Sequence, residues 1–198
     1  MIRFFATLLS YIFHPVIFVL LMPYFLIYRQ TTNVLYALKW EIFSSIFIFL
    51  GLALVFLGKR KGIFSDFDLS KREERWKFFA IILAPITLYL LASIFIKGLF
   101  FSTTIISLGV ILTLLLFALA NKFVKPSIHT CVACAYVISV SILYGPIAFF
   151  ITFWMIPVVI WSRLHLKKHT VNELFIGGTI GTLITLLTFI VGKYMILK

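Results

Sequence analysis

Acidic side chains are the scarcest chemistry in this sequence: 6 Asp and Glu stand against 18 Lys and Arg among 198 residues, a formal charge of +12. So few carboxylates leave no cluster suited to Mg²⁺, and neither a metal nor a cofactor is expected. Only two cysteines occur, Cys131 and Cys134. Their C-x-x-C spacing has no second pair to complete a zinc site. It also falls in an apolar segment, where small residues serve helix packing. Internal repeats and low-complexity stretches are missing, which excludes a solenoid or a biased linker.

Hydrophobic residues fill the space that these leave. They make up 63% of the chain, the mean hydropathy is +1.14, and a soluble domain holds only about 45–50% apolar residues. A soluble fold of this length cannot bury so much apolar surface, so the bilayer must act as its solvent. The expected architecture is all-α: one transmembrane helix bundle spanning residues 1–198. In a soluble protein the basic excess would suggest nucleic acid. Here the bases lie between apolar runs, so membrane lipids are the expected partners and nucleic acid is not.

A spanning helix needs about 20 largely apolar residues. Seven runs approach that: Phe4–Tyr28, Trp40–Leu57, Phe78–Ile96, Ser102–Ala120, Thr130–Tyr144, Ile147–Trp161 and Leu174–Leu197. Met1–Arg3 and the apolar run after it lack a small-residue cleavage site, so this segment is read as a first span and not a signal peptide. Pro85 interrupts the third run, and Lys97-Gly98 ends it. The fifth and sixth runs are short, but Ser127–His129 and Ser162-Arg163 can lengthen them. Gly145-Pro146 separates these two runs and is a turn signal. The bundle therefore has six spans, or seven if that step is a turn.

With seven alternating helices, three polar clusters share one membrane face with the N-terminus, and thirteen of the 18 bases fall there. The positive-inside rule favours the cytoplasm for that face. Setting aside five bases for a phosphate site leaves eight against five, so the compartment stays open. One active site at this single face is the expectation, in a multi-pass protein of a prokaryotic cell membrane.

The third cluster runs from Trp161 to Glu173 and holds Arg163, His169 and Glu173. An Arg fork suits phosphate, and a His can act as nucleophile when a carboxylate fixes its tautomer. His169 and Glu173 are i,i+4 and share a helix face. Thr170-x-x-Glu173 is equally a capping box. The second cluster, Lys125-Pro126-Ser127-Ile128-His129, reads as a helix start with free N–H groups, a natural anion site. The first cluster, Asp68–Lys77, reads by itself as a solvated mixed-charge loop with a basic membrane flank. An ionisable group within a span is a functional hypothesis by default. His14 either lines the lipid cavity or stays neutral and bonds a neighbouring backbone carbonyl, and the second is expected. His165 is expected at the interface, and Glu41 is expected to be solvated.

These residues resemble the signature of the type-2 phosphatidic acid phosphatase superfamily, written K-x6-R-P, P-S-G-H and S-R-x5-H-x3-D. Ser162-Arg163, five residues, His169, three residues and Glu173 fit the third motif with Glu for Asp. Pro126-Ser127-Ile128-His129 fits the second with Ile for Gly, and the likeness covers about 68–181. The resemblance implies a metal-independent hydrolase acting on a lipid phosphate monoester or diphosphate. In it His169 is the nucleophile, Glu173 orients that imidazole, and His129 protonates the leaving alkoxide. Arg163, Ser127, Lys125, Lys71, Arg72 and Arg75 are the candidate phosphate binders. Polyprenyl diphosphate hydrolysis is the alternative within this chemistry. A catalytically silent lipid-binding or transport protein is the alternative outside it.

Overall fold

The computed structural model describes residues 1–95 and 100–196. The expected helix end at Lys97-Gly98 and the last residues, Leu197 and Lys198, lie outside the described residues. The described elements are α1 (Ile2–Ile12), α2 (Pro15–Thr31), α3 (Val34–Arg60), a 3₁₀ turn (Arg72–Glu74), α4 (Arg75–Phe95), α5 (Phe100–Ala120), α6 (Ile128–Tyr144), α7 (Pro146–Thr152), α8 (Met155–His165) and α9 (Val171–Ile196). Among the described residues there is no strand. The protein is an all-α membrane protein.

Six segments are long and apolar enough to cross a bilayer: Ile2–Thr31, Val34–Arg60, Arg72–Phe95, Ser102–Ala120, Pro146–His165 and Val171–Tyr194. The fifth run, α6, has 17 residues and spans roughly 26 Å at 1.5 Å per residue.

Prolines decide where the runs break. The first run is two helices. The Pro15 ring excludes a helical bond to the carbonyl four residues back, and His14 before it takes extended angles (φ −69°, ψ 139°). The sixth run also divides, at Phe153-Trp154, because Pro157 sits four residues beyond Phe153. The third run does not break: α4 continues through Pro85, which packs toward Gly51 of α3. Neighbouring helices commonly let membrane helices keep a proline.

The chain divides into two compact units, Met1–Glu41 with Pro126–Leu187, and Ile42–Lys125 with Thr188–Lys198. In the first, α6 is the hub. It packs on α2, α7 and α8, and Phe18, Ala133, Tyr136, Val140 and Val159 form its apolar core. Gly145 carries the chain from α6 into α7 at φ +88° and ψ −172°, angles open essentially to glycine alone. The chain then doubles back, so that α7 and α8 both pack on α6. Against α9 the approach is closer still. A Cβ on Gly181 would collide with the Cys131 carbonyl, and one on Gly177 with the Ser127 carbonyl. Cys131 and Cys134 are buried free thiols in this seam.

Glu41 departs from the solvated role expected of it. It is half-buried, and its Oε2 accepts the Tyr24 N–H at 3.1 Å. Tyr24 follows Pro23 inside α2, and a proline kink frees backbone groups that an outside acceptor can satisfy.

In the second unit α4 packs on α5, and the 61–75 loop is tied down by its own polar groups. Ser65 donates its N–H and hydroxyl to Glu74 Oε2 at 2.8 and 3.0 Å. Asp66 Oδ1 accepts the Ser70 N–H and hydroxyl, each at 3.2 Å.

Candidate active site

The site in the first unit is assembled where α6 begins, α8 ends and α9 begins. Thr170 caps α9 as the sequence pattern requires. The Glu173 N–H reaches Thr170 Oγ1 at 3.4 Å, and the Thr170 N–H reaches Glu173 Oε2 at 3.2 Å. The same Oε2 lies 2.8 Å from His169 Nδ1. The capping box and the orienting carboxylate are therefore one device: the cap aims the carboxylate, and the carboxylate holds the ring. A carboxylate at Nδ1 favours the tautomer with the proton there, which makes Nε2 the basic nitrogen. The His169 side chain is 3% exposed and that of Glu173 is 16% exposed.

Ser127 caps α6 through its hydroxyl, which accepts the Thr130 N–H at 3.4 Å. Its own N–H donates to the Glu173 carbonyl at 3.0 Å, and Thr130 Oγ1 donates to the Leu174 carbonyl at 3.1 Å. These two bonds, with the glycine face of α9, bring the second and third clusters together. Ile128 is the first residue of α6, and it is not among the residues at positive φ. No glycine is needed there. His129, one residue on, is buried.

Arg163 is buried near the end of α8, and its Nη1 donates to Ser10 Oγ at 2.8 Å. Its carbonyl accepts the Lys168 N–H at 3.1 Å, which ties it to the turn before His169. Ser162 is fully buried and donates to the Ala6 carbonyl at 2.9 Å. It pins α1 to α8. Four strongly polar groups, Ser127, His129, Arg163 and His169, are thus withdrawn from water in one unit. Burial of that kind is costly in a membrane protein.

The remaining candidates belong to the second unit, where they gather around the 61–75 loop. Arg75 is 1% exposed and donates Nε to the Leu69 carbonyl at 3.2 Å. Exposed Arg72 donates to the Phe123 carbonyl at 3.3 Å, and Asn121 donates to the Arg72 carbonyl at 3.0 Å. Lys125 Nζ reaches the Ser70 carbonyl at 3.5 Å, and Lys71 lies 3.7 Å from Glu74.

Sequence reasoning missed the part played by α1 and the α1–α2 elbow. Ser10 holds Arg163. His14 caps α2, its Nδ1 accepting the Val16 N–H at 3.3 Å. Its ring stands 5.3 Å from that of His129 at 87°. The signal was an ionisable residue beside a proline in an apolar run. His165 stacks on Trp161 at 5.4 Å and is exposed, away from the buried groups.

Beside the α6–α9 seam lies a cavity of about 320 Å³, lined by residues that include Thr130, Ile160, Leu174, Phe175 and Leu183. Among the described residues no three His, Cys, Asp or Glu side chains form a metal-holding group.

Comparison with protein-family models, with curated proteins and with solved structures finds no match to this chain.

Proposed function

We propose that this protein is an integral membrane lipid phosphatase that hydrolyses a phosphate monoester or diphosphate through a phosphohistidine. The observation that carries the reading is the 2.8 Å contact between His169 Nδ1 and Glu173, made by a carboxylate that its own helix cap holds in place. The resemblance of Pro126–His129 and Ser162–Glu173 to the type-2 phosphatidic acid phosphatase signature supports it. So do the bonds that bring these two segments together.

In this mechanism His169 Nε2 attacks phosphorus in line as the bond to the lipid oxygen breaks. His129 gives its proton to the departing alkoxide. Water then attacks phosphorus, giving its proton to His129 as the bond to His169 Nε2 breaks, and inorganic phosphate leaves with His169 regenerated. Arg163 and Ser127 hold the equatorial oxygens. Phosphoryl transfer depends mainly on such positioning and charge stabilisation. The lipid chain lies in the apolar cavity beside Thr130 and Leu174. The expected setting is a prokaryotic cell membrane, with a phosphatidic acid-like or phosphatidylglycerophosphate-like substrate.

The test is phosphate release by the purified protein in detergent with excess EDTA. Phosphatidic acid, phosphatidylglycerophosphate and polyprenyl diphosphates are compared, each beside His169→Ala. Turnover that survives EDTA and vanishes in the variant is the expected result. Undiminished turnover in the variant, or an absolute Mg²⁺ requirement, would refute the mechanism. Lipid binding without turnover on any substrate would favour a silent carrier.

A further inference from the structure

We propose that His14 is a positioning residue that sets the orientation of the His129 imidazole; this rests on the phosphatase reading for its catalytic consequence. A histidine's outer torsion has no sharp staggered well, so neighbours decide which way its ring faces. A general acid must present one particular nitrogen to the leaving oxygen. The ring of His14 packs on that of His129, at 5.3 Å between centroids and 87° between planes. That is the edge-to-face arrangement that aromatic rings prefer.

His14 can serve as a fixed wall because its own ring is held. Nδ1 accepts the Val16 N–H, which assigns the ring proton to Nε2. Its backbone is constrained as well, standing between the end of α1 and Pro15 at the start of α2. Capping alone does not account for histidine here. Asn, Asp and Ser are better N-caps, and an ionisable group in an apolar run is costly unless it is used. One turn earlier, Ser10 binds Arg163. The elbow between α1 and α2 therefore touches both the proposed proton donor and a proposed phosphate binder.

His14→Asn separates the two roles, since Asn keeps a helix cap but removes the ring. The full chain is labelled with ¹⁵N-histidine in detergent micelles, and His129 is assigned with His129→Gln. Expected are an unchanged unfolding temperature, shifted His129 ring nitrogens and an unchanged KM. In that variant kcat falls about 10-fold, the order seen when a group orienting a functional imidazole is removed. His14→Ser, another good cap, is the second variant should Asn unfold the protein. Unmoved His129 resonances overturn the proposal, as do shifted resonances with wild-type kcat. If the wild type turns over none of the phosphate lipids, the phosphatase reading fails, and the resonances alone decide whether His14 orients His129.

Discussion

At the scale of single residues, Glu173 has two jobs that one substitution can divide. Gln serves a capping box as well as Glu does, but it cannot supply the charge that fixes and stabilises His169. Glu173→Gln is expected to keep the unfolding temperature and to lower kcat about 10²-fold or more, as when a triad carboxylate becomes an amide. Parallel thermal unfolding and phosphate-release assays check this, and equal loss in both would leave only a structural cap. Ser10→Ala removes a hydrogen bond to the buried guanidinium of Arg163. Such bonds are worth about 1.5–3 kcal/mol of stability, so a lower unfolding temperature is expected in detergent, with reduced phosphate release as Arg163 loses its anchor. His169 and Glu173 were legible in the sequence because an i,i+4 spacing makes two side chains meet on any helix. Ser10 was not, because nothing local marks a hydroxyl on α1 as the partner of a base 153 positions away.

At the scale of elements, the junction of α6 with α9 holds the proposed machinery together. Gly177 and Gly181 meet backbone atoms of α6, whereas a Cβ at Gly178 would meet only the Cys134 thiol at 3.3 Å. Gly181→Ala is expected to destabilise the protein by about 1–3 kcal/mol through overpacking. Gly178→Ala should cost less, and thermal unfolding in detergent ranks the two. Gly145→Ala is costly for a different reason. The space around it is open, but the left-handed φ is strained for any side chain, at about 1–3 kcal/mol. The turn at Gly145-Pro146 was readable because two breakers stand together. The breaks at His14 and Phe153 were harder to read. Each is caused by a proline placed at the start of the following helix, where proline is otherwise welcome, so the apolar run continues across it. Pro85 shows the converse: a proline inside a membrane run need not end a helix.

At the scale of the whole molecule, composition alone determines the class. An apolar fraction of 63% has no solvent but lipid, and six segments meet the length for crossing it. With α6 as a seventh span, helix alternation places Lys61 and Lys193 on opposite membrane faces. Single-cysteine variants at these positions, in a background without Cys131 and Cys134, are expected to label from opposite sides of sealed vesicles. Labelling of both from one side would break the helix count. The chemical claim rests on His169, and trapping the intermediate tests it most directly. The protein is mixed with ³²P-labelled lipid phosphate in EDTA, quenched in alkali and digested. The account expects an acid-labile, alkali-stable label on the peptide that carries His169, absent from His169→Ala. Steady phosphate release with no label on that peptide, at quench times short enough to catch the turnover, would contradict it.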